Sequence, residues 1–566
     1  MGALVSLAPL PVHSYVDGVK TTRRAFVATS AASFAALAGM PGILVRRAPY
    51  DFVVRGGTVF DGTGAAGIEA DVAISGGKIA AVTRRIAGRG TEEIDARGLA
   101  VAPGFIDIHS HGDGSLNADP RAESLVRQGI TTIVVGQDGS SRAPSRPRTA
   151  TDAAGDSALT FSDLFASIDK LRPSVNVASM VGLGSLRAIV VGEDNRPATA
   201  DELARMTAMV EDALAQGACG ASTGLEYTPG AFASLAELIA LTKPLAARRL
   251  PYATHMRNED DRVLESIEEA IAVARGARCP LEISHLKMEG QRNYNKLDAA
   301  FDRIARARKD GLDVTFDVYP YIAFSTGLTN LFPASSRDGG ADAFLARLTD
   351  PSTAARLHAE AQAKVDLLGG WNSVMIVSVR APEDKAAEGK RLGDYAAALG
   401  KDPYSVTVEM LQRNRANIST VGFGMNEEDV DRILAHPLAT VCSDGGAFAV
   451  DGPTRRGSPH PRGLGTFPRV LSRYVRERKA LTLADAIHKM TGASAARVRL
   501  ADRGRLAAGF AADVVVFDPA RVVDKATYED PFQYPAGINA VVVNGTMAFR
   551  DGQRGAQGTG KSLRPA

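Results

Sequence analysis

Val101-Ala102-Pro103-Gly104-Phe105-Ile106-Asp107-Ile108-His109-Ser110-His111-Gly112 is the stretch on which the reading of the fold depends. A Pro-Gly turn precedes a run, Phe105 to His111, that reads as a short buried strand, and side chains two apart on a strand share a face. His109 and His111 therefore converge. Two neutral imidazoles on a rigid backbone can bind one divalent metal, although the same spacing alone also suits two hydrogen-bonded strand histidines. What the rest of the chain contributes decides between them.

Downstream, strand-like runs recur: Thr131-Thr132-Ile133-Val134-Val135-Gly136, Val175-Asn176-Val177-Ala178-Ser179-Met180-Val181-Gly182, Gly220-Ala221-Ser222-Thr223, Tyr252-Ala253-Thr254-His255, Leu281-Glu282-Ile283-Ser284-His285, Asp313-Val314-Thr315-Phe316-Asp317-Val318-Tyr319 and Ala439-Thr440-Val441-Cys442-Ser443-Asp444. Helical patterns over 200–216, 261–275 and 295–309 separate several of them. Such alternation indicates a parallel sheet, and about eight units indicate a (β/α)8 TIM-like barrel over 103–499, with a doubly wound open sheet as the alternative. Placed on that barrel, His109, His111, Asp138, His255, His285 and Asp444 all fall at the C-terminal ends of strands, the face where barrel enzymes build their sites. Imidazoles and carboxylates in that number suit one or two borderline metals, zinc by default. A metal-activated water with a carboxylate to move its proton is fitted to amide hydrolysis.

Short β segments lie at both ends of the chain, over 50–102 and 500–553. Neither set can bury a core alone, so a small β-sandwich built from both ends is expected. The stretch 337–417 breaks the rhythm with polar helices and reads as an insertion late in the barrel, and 554–566 as a tail.

Lys plus Arg is 66 against Asp plus Glu 64, so the balance carries no footprint for nucleic acid. Only three cysteines occur, Cys219, Cys279 and Cys442, which argues against a disulfide framework and suits buried small apolar residues. No stretch reaches the roughly 18 apolar residues of a spanning helix. Thr22-Arg23-Arg24-Ala25-Phe26-Val27, a modest apolar run and Ala36-Leu37-Ala38-Gly39 resemble a twin-arginine export signal over 1–38, implying the twin-arginine machinery as a partner and a periplasmic or exported location.

The residues after about 50 resemble the amidohydrolase superfamily and, within it, the N-acyl-D-amino-acid deacylases (D-aminoacylases). The markers are Gly224-Leu225-Glu226-Tyr227-Thr228-Pro229-Gly230, His255-Met256-Arg257-Asn258-Glu259, Ser284-His285-Leu286-Lys287, Tyr319-Pro320-Tyr321, Ser443-Asp444-Gly445 and His460-Pro461-Arg462-Gly463-Leu464-Gly465-Thr466-Phe467-Pro468-Arg469-Val470-Leu471. The resemblance implies that His109, His111 and Asp444 surround one metal position and His255 and His285 hold the other. It also implies that Asp444 is the general acid/base, and that Lys287, Tyr319, Ser325 and Arg455 bind the carboxylate of an N-acyl amino acid. A planar cation with hydroxyl donors suits that group. Two departures stand out. Members of this family typically carry cysteine where this chain has Asp138, which is either a bridging carboxylate or a turn residue, and Leu183 stands where relatives often have histidine. A dipeptidase or cyclic-amide hydrolase on the same scaffold is the second enzymatic reading, and a non-catalytic scaffold the third.

Overall fold

In the computed structural model, which describes residues 49–145 and 159–566, eight parallel strands form the barrel. They are β1 (Phe105–Asp107), β2 (Ile130–Val135), β3 (Asn176–Ser179, continued by Val181–Gly182), β4 (Ala221–Gly224), β5 (Tyr252–His255), β6 (Leu281–Ile283), β7 (Val314–Val318) and β8 (Ala439–Val441). Two backbone bonds close the ring, from Asp444 N to His109 O and from His111 N to Gly445 O, each 2.9 Å, and exclude the open sheet. Alternation along each strand sorts the core. On β6, Leu281 and Ile283 face the apolar layer beneath the helices, while Glu282 lies between them and pairs with Arg497 at 2.8 Å. Helices Ala200–Ala215, Val263–Ala277 and Leu297–Lys309 stand within two residues of the expected bounds. The first starts at Thr199, whose hydroxyl accepts from Glu202 N in a capping box, and it buries Met206, Val210, Ala213 and Leu214.

The two ends of the chain do pair. Their strands form one nine-stranded sheet in which Val514–Phe517 runs antiparallel to Ala100–Pro103. Val514 and Val516 face an apolar cluster of the sheet's own with Val54, Val72 and Val101, whereas Val515 and Phe517 face the barrel core. The sheet is thereby fixed to the barrel.

Two boundaries differ from expectation. The interruption after β7 is longer than 337–417, because it carries its own antiparallel sheet of Ala323–Gly327, Ser419–Phe423 and Val374–Ser378. Residues 554–566 are not a free tail: Val177 N donates to Lys561 O, Leu563 N donates to Val177 O, and Ser562 bonds Asp169. These contacts add an edge to β3. Cys219, Cys279 and Cys442 are free and buried. Among the described residues no helix is long and apolar enough to cross a membrane. The signal-peptide reading falls on residues outside those described.

Candidate metal centre

Each of the six expected ligands projects from the C-terminal rim. His109 and His111 follow β1, Asp138 follows β2, His255 ends β5, His285 follows β6 and Asp444 follows β8. Three of them, Asp138 (φ 52°), His285 (φ 35°) and Asp444 (φ 48°), sit in the left-handed region that non-glycine residues avoid. That conformation turns each chain sharply as it leaves its strand, so the side chain points across the barrel mouth, and strain of this kind collects at functional sites. At Asp138 the turn is locked by its neighbour Gly139, whose N–H donates to Ser222 Oγ at 3.1 Å; a Cβ there would stand 2.7 Å from Gly224 N.

Asp138 is the centre of the arrangement. Its carboxylate lies 3.4 Å from His109 Nε2, 3.3 Å from His111 Nε2, 3.6 Å from His285 Nε2 and 4.0 Å from His255 Nδ1. Asp444 Oδ1 lies 3.0 Å from His111 Nε2 and 3.6 Å from His109 Nε2. Three candidate cation groups result, His109-His111-Asp138-Asp444, Asp138-His255-His285 and Glu226-His255-Glu259, each with its ligating atoms within 4.8 Å of one another; Asp138 is common to the first two and His255 to the last two. Asp138 thus stands in a left-handed turn and also among the candidate ligands. Both ring nitrogens of His109 and Oδ1 of Asp138 are buried without a hydrogen-bond partner. Buried polar atoms are normally satisfied, so His109 Nε2 and Asp138 Oδ1, which face the centre, fit a metal that uses them as ligands, while His109 Nδ1 faces Asp317 Oδ1 at 3.7 Å.

Charge in the cluster points the same way. Burial opposes a charged imidazole at His111, yet Asp138 and Asp444 overcome it and raise the group to about 9. At His285 burial and Lys287 oppose protonation, and Glu259 with Asp138 raises it to about 9. Burial would lift Asp444, but Arg462, His109 and His111 hold its carboxyl well below the usual range. The carboxylates thus create a field that draws positive charge to these nitrogens.

Behind the imidazoles stands a layer that sequence reasoning left without a role. Glu226 Oε2 lies 3.2 Å from His255 Nε2, and Glu259 Oε1 lies 3.1 Å from His285 Nδ1. Carboxylates in such positions orient ligating histidines and raise their basicity. Asp317 Oδ1 accepts from the backbone N–H of His285 at 2.7 Å, which fixes its strained turn. Both glutamates lie inside quoted motifs, but which face of the ring they meet is not written in spacing.

A cavity of about 700 Å³ opens over the cluster, lined by His111, Asp138, Tyr227, Ser325, Asp444 and Arg462 among others. Of the expected carboxylate binders, Ser325 lines it, and Lys287, Tyr319 and Ser325 meet in a recess beside His255, His285 and Asp444. Lys287 Nζ is engaged there, 2.6 Å from Glu259 Oε2 and 2.7 Å from His285 Nδ1. Arg455 is a correction: it is exposed, its Nη1 donates to Val450 O at 3.1 Å, and its guanidinium covers the Phe532 ring at 4.8 Å. The loop after Asp444 turns Arg455 away, and the buried arginine on the cavity wall is Arg462, 2.7 Å from Asp444 Oδ2 and 4.8 Å above the Tyr319 ring. Leu183 is buried and its neighbour Gly184 reaches the cavity.

The pattern of the amidohydrolase family matches residues 92–549. An N-acyl-D-aspartate deacylase of Alcaligenes xylosoxydans xylosoxydans is 38% identical over 524 residues, 91% of this chain and 95% of that protein. The crystal structure of an N-acyl-D-glutamate deacylase from Bordetella bronchiseptica, complexed with zinc and a phosphonate mimic of the tetrahedral intermediate, has a TM-score of 0.78 at 36% identity, covering 91% of this chain and 99% of that one. A D-aminoacylase structure concerned with a binuclear metal centre, one-metal activation and second-metal attenuation has a TM-score of 0.76 at 36% identity, covering 92% of this chain and 100% of that one.

Proposed function

The chain belongs to the amidohydrolase family, and we propose that it is a metal-dependent deacylase that hydrolyses the amide of N-acyl-D-amino acids to a carboxylate and a free D-amino acid. The observation that carries this reading is the convergence of His109, His111, Asp138, His255, His285 and Asp444 beneath one cavity whose wall holds Arg462. Similarity across almost the full length to proteins named for that reaction supports it.

His109, His111, Asp138 and Asp444 would hold one ion, and Asp138, His255 and His285 a second. Zinc, the ion in the Bordetella bronchiseptica relative, suits these nitrogen and oxygen donors, with one or two ions per chain. When bound, such an ion supplies Lewis acidity, making water more acidic and a carbonyl carbon more electrophilic. Asp444 stands at the cavity floor, where it can take a proton from water and return it to the departing nitrogen. Arg462 replaces Arg455 as the planar cation for the substrate's α-carboxylate. A guanidinium has five N–H donors, so pairing with Asp444 leaves donors for a second carboxylate. Ser325 and Tyr319 supply hydroxyls beside it. Glu226 and Glu259 keep His255 and His285 in their ring orientations.

Incubating metal-loaded enzyme with paired N-acetyl-D- and N-acetyl-L-amino acids tests the reading. Turnover of the D form is expected, and turnover of the L form only, or of neither, sinks it. Export through the twin-arginine machinery to the periplasm rests on Thr22-Arg23-Arg24-Ala25-Phe26-Val27, the apolar run after it and Ala36-Leu37-Ala38-Gly39; Arg23→Lys/Arg24→Lys should retain the protein in the cytoplasmic fraction, and unchanged fractionation would contradict it.

A further inference from the structure

A second cavity of about 260 Å³ adjoins the main one, and Ser325, Ser419, Asp444, Gly446, Phe448 and Arg462 line both. Its outer walls come from two segments with no part in metal binding. One is the strand Val374–Ser378 of the insertion, through Val377 and Ser378; the other is the loop after Asp444, through Arg456 and Pro459. The loop is docked on the strand. Ser458 N donates to Val377 O at 2.8 Å, and Gly457, at φ +66°, approaches so closely that a Cβ would lie 2.6 Å from that same oxygen. Consecutive arginines leave this loop in different directions. Arg455 is held by Val450 O and Phe532, whereas Arg456, equally exposed, lines the small cavity and, among the described residues, has no hydrogen-bond or ion-pair partner.

We propose that this smaller cavity receives the substrate's side chain and that Arg456 selects an acidic one, so that N-acyl-D-aspartate and N-acyl-D-glutamate are preferred to their neutral isosteres. The inference rests on the deacylase reading above. Arg462 and Asp444, which flank the α-carboxylate and the scissile amide in that reading, are the charged groups among the residues the two cavities share. One arm of the substrate therefore enters each cavity. The larger takes the acyl group and the smaller takes the side chain, whose carboxylate meets a guanidinium that spends no donor on the protein. The match is planar and bidentate, and a carboxamide of the same shape cannot reproduce it because its NH2 group would face an N–H donor. The inference also gives the insertion a role: its strand is the anvil on which the selecting loop is set.

The test is kcat/KM for N-acetyl-D-Asp against N-acetyl-D-Asn, and for the Glu and Gln pair, in wild type, Arg456→Gln, Arg456→Lys and Arg455→Gln. Wild type should favour the acids by about tenfold, the size of a charge-assisted contact at an open rim, and less at high salt. Arg456→Gln should bring the ratio close to one, Arg456→Lys should keep part of it, and Arg455→Gln should leave it where it was. A wild-type ratio at or below one, or an undiminished ratio in Arg456→Gln, overturns the proposal while leaving the deacylase reading standing. No turnover of any N-acyl-D-amino acid by wild type would overturn both.

Discussion

Replacing Arg462 by Gln separates two jobs that the structure gives to one side chain. Its guanidinium is buried at 5% exposure and lies 2.7 Å from Asp444 Oδ2. A charge-assisted contact to a substrate carboxylate contributes about 1.5–3 kcal/mol, so losing it should lower kcat/KM by about 10- to 150-fold. Removing the partner of a buried carboxylate carries a further cost, on the order of 3–5 kcal/mol in stability when nothing replaces it, which bound metal beside Asp444 offsets in part. The two effects part company on substrate. An N-acetyl-D-amino acid presents the α-carboxylate, and its α-carboxamide does not. The acid should suffer the full loss and the carboxamide only the share that acts through Asp444, so the acid-to-carboxamide ratio falls by about tenfold or more. Arg462→Lys keeps a charge beside Asp444 but not the fork, and should restore the carboxamide rate better than the acid rate. Equal losses on both substrates would refute the carboxylate assignment and leave Arg462 as a partner of Asp444 alone.

Asp444→Asn keeps the shape and removes the proton carrier, so kcat should drop by about 10²–10⁴ with the circular dichroism spectrum unchanged; a near-normal rate would remove Asp444 from proton transfer. Asp138→Ala deletes the ligand common to both cation positions and should lower metal content measured by inductively coupled plasma mass spectrometry, in contrast to a substitution at the exposed Arg455. Lys489 gives a pH signature away from the site: it is buried, with Nζ donating to His436 O and Ala439 O at the foot of β8, and burial lowers it from 10.5 to about 8. Between those values the unfolded chain binds the extra proton, so stability contributed at this position rises as pH increases from about 8 toward 10.5. Urea midpoints at the two ends of that window should shift toward wild type relative to Lys489→Met, and a constant gap would contradict the sign.

Much of the fold was legible because it follows from period and punctuation. Strands such as Ile130–Val135 are buried on both faces and mostly apolar, as parallel strands in a barrel are, and turns such as Pro103-Gly104 mark where they start. The convergence of the candidate ligands was legible for the same reason, since a residue just after a strand has its position fixed by that strand. Arg462 was not. Arg455 and Arg456 lie in an irregular loop and are exposed, whereas Arg462 opens the helix Arg462–Arg469 and is buried, a difference that spacing does not show. The insertion's sheet was hidden because its strands, Ala323–Gly327, Val374–Ser378 and Ser419–Phe423, are separated by long helical stretches and pair only in space. The edge added by Lys561 and Leu563 depends on backbone groups, which carry no side-chain signature. Glu226 and Glu259 show the same limit, since a carboxylate that steers an imidazole looks in sequence like any other acidic residue.

The central claim is that His109, His111, Asp138, His255, His285 and Asp444 form a metal site on which amide hydrolysis depends. Stripping the purified protein with a chelator, confirming the loss by mass spectrometry and titrating zinc back while following hydrolysis of an N-acetyl-D-amino acid tests it most directly. Activity should vanish with the metal and return by the time one or two ions per chain are restored. Full hydrolysis by the metal-free protein would contradict the account.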